Sequence, residues 1–139
     1  MTDRVTGKCL CGGVAFNIPL NTHLDVCHCS MCQRWGGPFI EMDTRKDEIA
    51  FEQDGSLTWY DSSDWAERGF CGTCGSNLFY RLKQGDMLAV LAGTLDLPTG
   101  LPVRKEIFID EKPDYYDLAG DRPRQTGAEV FAQFQESQS

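Results

Sequence analysis

Phe70-Cys71-Gly72-Thr73-Cys74-Gly75-Ser76 is the stretch that decides the architecture. A Cys-x-x-Cys pair closed by glycine reads as a zinc knuckle, in which two thiolates grip one ion and the glycine permits the tight turn. A knuckle supplies two of the four ligands that a closed zinc site takes, so two more must come from elsewhere in the chain. Cys9-Leu10-Cys11 offers them. On a strand, both side chains of a Cys-x-Cys pair lie on one face and can fill two corners of a tetrahedron. Cys9, Cys11, Cys71 and Cys74 would then staple two distant parts of the chain. The remaining cluster, Cys27-His28-Cys29-Ser30-Met31-Cys32, leaves Cys27, Cys29 and Cys32 as a compact triad, close enough to serve one ion alone. Spacing by itself also permits Cys9 and Cys11 to pair with the triad.

Composition narrows the function classes. Seven cysteines are an odd number, so disulfides alone would leave one over. Met1-Thr2-Asp3-Arg4 has no apolar signal-peptide core, and no apolar run approaches the roughly 20 residues of a membrane helix. We therefore expect a cytoplasmic protein with reduced thiols, available to metal. The 21 acidic and 13 basic residues give a formal charge of −8, the wrong sign for a nucleic-acid surface. Nucleic acid and membrane are not expected partners. A monomer or homodimer is expected, since exposed β edges permit pairing.

The 139 residues suit one domain. We expect a zinc-binding β domain over 1–120 and a polar C-terminal tail over 121–139, partly ordered, where Val130, Phe131 and Phe134 could make a short helix. Gly12 to Ile18 alternates and ends at Pro19, which predicts a strand. Phe39 to Met42 predicts another. Glu48 to Phe51 and Leu57 to Tyr60 flank Asp54-Gly55 and predict a hairpin. Ala66 to Phe70 leads into the knuckle, Ser76 to Leu82 leads out, and Met87 to Ala92 and Glu106 to Ile109 follow. Gly93 to Arg104 reads as ordered loop. The result is a mainly β fold of short antiparallel strands, to whose modest core a closed zinc site adds folding free energy.

Three segments, Gly7-Lys8-Cys9-Leu10-Cys11-Gly12-Gly13-Val14, Cys27-His28-Cys29-Ser30-Met31-Cys32-Gln33-Arg34 and Phe70 to Ser76, resemble the glutathione-dependent formaldehyde-activating enzyme (GFA) family, which shares its domain with centromere protein V. Gly93-Thr94-Leu95-Asp96 and Ile107-Phe108-Ile109 are also similar. The resemblance implies a zinc-stapled β-tent fold with two zinc ions per chain. It implies that Cys9, Cys11, Cys71 and Cys74 hold a structural zinc and that Cys27, Cys29 and Cys32 hold a catalytic one. The reaction it implies is carbon–sulfur lyase chemistry, the reversible addition of glutathione to formaldehyde.

Three thiolates outweigh the charge of a divalent ion, so a zinc on the triad would be a weak Lewis acid toward a carbonyl. It would still suit an incoming thiol, because a coordinating thiol is deprotonated. The expected reaction joins such a thiol to a small aldehyde, or reverses that. Arg34 directly follows the triad and could pair with a substrate carboxylate, although an exposed arginine is the plainer reading. His28 reads as a surface or hydrogen-bonded histidine, with proton transfer as the sharper alternative. His23 could swing in as a fourth ligand. Trp35, Phe39, Trp59 and Trp65 could line a pocket, and Phe39 reads as core. Asp43 to Glu48 reads as a solvated turn. Two rival functions remain at this stage: a non-catalytic zinc module whose second site is closed by a protein ligand, and a thiol-redox or metal-buffering protein.

Overall fold

The computed structural model describes residues 3–138. Met1, Thr2 and Ser139, the outermost residues of the two expected segments, lie outside it. In chain order the elements are β1 (Arg4–Lys8), β2 (Ala15–Pro19), β3 (Leu24–Cys27), α1 (Ser30–Trp35), β4 (Phe39–Arg45), β5 (Ala50–Gln53) and β6 (Leu57–Asp61). Then come β7 (Ala66–Cys71), β8 (Asn77–Leu82), β9 (Met87–Leu91), β10 (Val103–Ile107), β11 (Arg124–Gln125) and α2 (Gly127–Gln138). The chain is mainly β, as its alternation predicts.

Two open sheets form. The smaller has the order β1-β2-β5 and the larger β11-β10-β3-β4-β9-β8-β7-β6. Most neighbours are antiparallel, but β10 runs parallel to both β3 and β11. The other strand pairs are short and antiparallel, as expected. β10 follows a long connection from β9, and such a crossover allows a strand to re-enter in either direction.

Alternating residues of β1 and β2 turn Val5, Phe16 and Ile18 inward, onto Met42, Phe79, Leu88 and Val90 of the larger sheet. Phe16 and Phe79 meet edge to face with centroids 5.0 Å apart. This is the main core. The opposite face of the larger sheet carries a second cluster, Cys27, Cys29, Cys32, Phe39 and Ala89, flanked by Trp35, Tyr80 and Phe108. The site is built on that second face.

Two local expectations fail for a shared reason. Asp54-Gly55 joins no hairpin, since β5 pairs with β2 and β6 pairs with β7. The turn reverses the chain, but Phe51 packs on Phe16 and Phe79 and draws β5 into the other sheet. Asp43 is likewise not in a solvated turn. It lies within β4 beside the buried Glu41 and Asp25, and the turn is confined to residues 46–48. Distant packing overrides the local signal in both cases.

Candidate functional site

The first cysteine group forms where β1 and β7 end. Cys9 and Cys11 lie in a turn after β1, not on a strand as the spacing argument assumed. The turn closes through Gly12 N–H to the Cys9 carbonyl, 3.2 Å. The second turn closes the same way, Gly75 N–H to the Cys71 carbonyl at 2.8 Å. Both glycines have φ of 81°, a left-handed conformation that disfavours other residues. Backbone N–H groups then point at sulfur: Val14 to Cys9 Sγ at 3.3 Å, Gly13 to Cys11 Sγ at 3.4 Å and Cys74 to Cys71 Sγ at 3.5 Å. The Ser76 hydroxyl lies 3.2 Å from Cys74 Sγ and accepts from the Leu10 N–H at 3.0 Å, so it bridges the two turns. The Ser76 hydroxyl and backbone N–H groups hold the Cys74 thiol down at about 5.

Four sulfurs meet here, all within 4.8 Å of one another. Cys11 Sγ is 3.7 Å from both Cys9 Sγ and Cys71 Sγ. That separation is far too long for a disulfide, and all seven cysteines are free. It matches the edge of a tetrahedron with metal–sulfur bonds of about 2.3 Å, which is about 3.8 Å. The donor set and its spacing fit a metal ion.

The second group is built differently. Cys27 ends β3, Cys29 caps α1 and Cys32 lies one turn into it. Helix α1 is only six residues long, and its start is fixed by Cys29 Sγ accepting from the Cys32 N–H at 3.3 Å. The Glu111 carboxylate accepts from the Ser30 N–H at 2.8 Å. All three sulfurs are buried and lie within 4.8 Å of one another. Hydrogen bonds from the Cys27 and Cys32 thiols hold Cys29 down at about 2. Cys27, which donates to the other two sulfurs, is pushed far up. Cys32 is drawn down by Cys27, but the hydrogen bond to Cys29 and burial leave it raised, at about 11. The described residues bring no fourth cysteine, histidine or carboxylate into the group.

His28 is fully buried and both its nitrogens are engaged. Nε2 donates to Glu106 Oε1 at 2.7 Å, and Nδ1 accepts from the Tyr116 hydroxyl at 2.7 Å. Glu106 also receives Arg122 Nη1 at 2.7 Å and Arg124 Nε at 3.0 Å. Burial alone would raise its carboxyl, but Arg122 and His28 outweigh burial and hold it below the usual range. The hydrogen-bonded reading of His28 is the one found. His23 bonds Thr22 Oγ1 at 3.1 Å and is outside the triad group. Arg34 is exposed in the last turn of α1. Phe39 is core, Trp59 stacks on Phe79, and Trp65 is exposed.

The sequence reading missed Arg68. It is 3 % exposed, and its Nη2 lies 3.6 Å from Cys32 Sγ. Its guanidinium carbon sits 5.0 Å from the Trp35 ring and 5.1 Å from the Tyr80 ring. The available signal was weak: Arg68 shares strand parity with the apolar Ala66 and Phe70.

A cleft of about 530 Å³ opens beside β1, lined by Val5, Leu20, Asp96 and Leu97. It gathers no cysteine or histidine. Asp25, Glu41 and Asp43 form a third cluster of possible ligands, but Arg104 grips Asp25 through two hydrogen bonds.

With this geometry in place, known proteins become informative. The sequence profile of the glutathione-dependent formaldehyde-activating enzyme family matches residues 4–111. The chain belongs to that family. It is also 30 % identical, over 129 residues, to an uncharacterized lyase of Schizosaccharomyces pombe, covering 90 % of this chain and 93 % of the relative. The fold resembles the crystal structure of a Rhodobacter sphaeroides protein, with a TM-score of 0.58 and 25 % identity over 70 % of this chain and 98 % of the other. Family and relative together support lyase activity. Among the described residues no helix is long and apolar enough to cross a membrane.

Proposed function

We propose that this GFA-family chain is a zinc-dependent carbon–sulfur lyase that joins a small thiol, such as glutathione, to a small aldehyde such as formaldehyde, and reverses that reaction. The observation that carries this reading is the triad: three buried sulfurs converge, and no fourth protein ligand joins them among the described residues. A closed structural zinc site has four protein ligands, whereas a catalytic one keeps a position open. Cys9, Cys11, Cys71 and Cys74 hold the structural zinc in this reading, and Cys27, Cys29 and Cys32 hold the catalytic one. Zinc at the triad supplies a site where a substrate thiol gives up its proton.

The chain's own residues do the rest. Cys29 anchors the triad from the helix cap, where the Cys32 N–H donates to its sulfur. Phe39 and Ala89 pack against the three sulfurs. Glu106 and Tyr116 lock the His28 ring from both sides, which fixes the backbone between Cys27 and Cys29. With both nitrogens held, His28 orients the loop and does not ligate. Arg34, exposed two residues after Cys32, is available to a carboxylate of the incoming thiol.

Zinc per chain, measured on reduced protein with and without glutathione, tests this reading together with a formaldehyde–glutathione turnover assay. Two zincs, one perturbed by glutathione, and measurable adduct formation are expected. One tightly held zinc that ignores thiols, with no turnover, would overturn it in favour of a binding module.

A further inference from the structure

Arg68 is a buried cation without a carboxylate partner among the described residues. Its Nη2 touches Cys32 Sγ at 3.6 Å, two aromatic rings clamp its faces, and its Nη1 is buried with no hydrogen-bond partner. Burying a guanidinium carries a large desolvation cost, and leaving a donor of it unpaired adds more. Two other buried charged side chains are engaged by opposite charge: Glu106 has three partners and Asp25 has Arg104. Pairing along β7, β8, β9 and β4 places Arg68, Tyr80, Ala89 and Phe39 on the face that carries Cys27. The planar fork of a guanidinium keeps Nη1 within roughly 6 Å of Cys32 Sγ. That leaves a spare, desolvated donor beside the sulfurs.

We propose that Arg68 Nη1 binds a carbon-borne oxygen anion of the substrate, attached next to the reacting sulfur. This anion slot stands on the geometry alone, and its catalytic use rests on the addition reaction proposed above. In that reaction a sulfur–carbon bond forms and the carbonyl π pair moves to oxygen. Arg68 donates to that oxygen, and the proton released by the thiol returns to it through solvent, leaving a hydroxyl. Nothing is oxidised or reduced. The anion has two possible sources: the oxygen that develops charge at the carbonyl, or a carboxylate already present on the aldehyde.

Binding separates the slot from turnover. Zinc-loaded wild type, Arg68→Gln and Arg68→Lys would be titrated calorimetrically with S-(carboxymethyl)glutathione and with S-methylglutathione. Wild type is expected to prefer the carboxymethyl ligand by roughly ten- to a hundredfold, as a charge-assisted hydrogen bond gives. Arg68→Gln should erase that preference, and Arg68→Lys, which keeps the charge and loses the fork, should retain only part of it. Circular dichroism checks folding, and if Arg68→Gln does not fold, Arg68→Lys decides. Equal wild-type affinities, including no binding of either ligand, or a preference undiminished in the folded variants, overturns the slot. Turnover then names the source. Loss of kcat with both formaldehyde and glyoxylate identifies the developing oxyanion, whereas a raised KM for glyoxylate alone identifies a resident carboxylate. A binding preference without turnover of either aldehyde would keep the slot and remove the lyase reading.

Discussion

The two cysteine groups invert a common intuition. The triad is the more buried: Cys27, Cys29 and Cys32 all lie in the second hydrophobic cluster. The group of four is partly open, with Cys11 exposed and Cys74 half-buried. Yet under the proposed function the open group is the structural one. It joins turns 60 residues apart, so a metal there closes a long loop and ties the small sheet to the large one. The triad spans six consecutive residues and closes nothing. What marks a site as structural is the chain separation of its ligands, not their depth.

Removing one ligand from each group gives the sharpest break of this comparison. Cys71→Ser should lower the melting temperature by roughly 12 °C or more, because it opens the long-range staple. Cys29→Ala should cost the fold only about 1 kcal/mol, the worth of the helix cap it provides. Thermal denaturation followed by circular dichroism compares the two, and equal losses would defeat the distinction.

Turnover should show the mirror image. Cys29→Ala is expected to cut formaldehyde–glutathione adduct formation about a thousandfold or more, a barrier change of about 4 kcal/mol. Retained turnover in a folded Cys29→Ala protein would remove the triad from the chemistry.

Metal removal grades the contrast further. A chelator with a zinc-sensitive dye should record two phases, the first emptying the three-ligand group and the second the four-ligand group. The circular dichroism signal should fall only with the second phase. A single phase would make the groups equivalent.

The smallest expected effect probes the acidic cluster that shares the triad's sheet face. Burial, with Asp43 and Asp25 alongside, pushes the Glu41 carboxyl well above its usual range. Its folded pKa therefore exceeds the unfolded one. The stability it contributes is complete below the unfolded value and is lost as pH rises through the folded value. Glu41→Gln removes that loss. Its melting temperature relative to wild type should improve from pH 4 to pH 8. A difference that stays flat with pH would show that Glu41 ionises in the fold as it does in the unfolded chain.

Much of this was legible in the sequence. The four-plus-three division followed from ligand spacing, and the strands around Phe16, Phe79 and Val90 followed from alternation and turn residues. Other features were hidden because their causes are not local. Asp54-Gly55 announces a reversal but cannot say which sheet receives each arm. Helix α1 is too short to show a period, and its cap is a cysteine instead of one of the usual capping residues. Arg68 reads as a surface charge until its neighbours Trp35 and Tyr80, distant in sequence, close over it. Glu106 looks like one more acidic residue, and only the parallel pairing of β10 with β3 brings it under His28.

That parallel pairing has a consequence for synthesis. The chain is made from its N-terminus, so Cys27 to Cys32 leave the ribosome long before Glu106, which is 78 positions after His28. Arg122 and Arg124, which neutralise that glutamate, come later still. Until they emerge, the imidazole has no acceptor and the open edge of β3 has no neighbour. The thiols of the nascent chain therefore wait, unbuttressed, for Glu106, Arg122 and Arg124, while the first two cysteines need only reach the knuckle at Cys71 to Cys74. Staple first and triad last is the assembly order this topology favours.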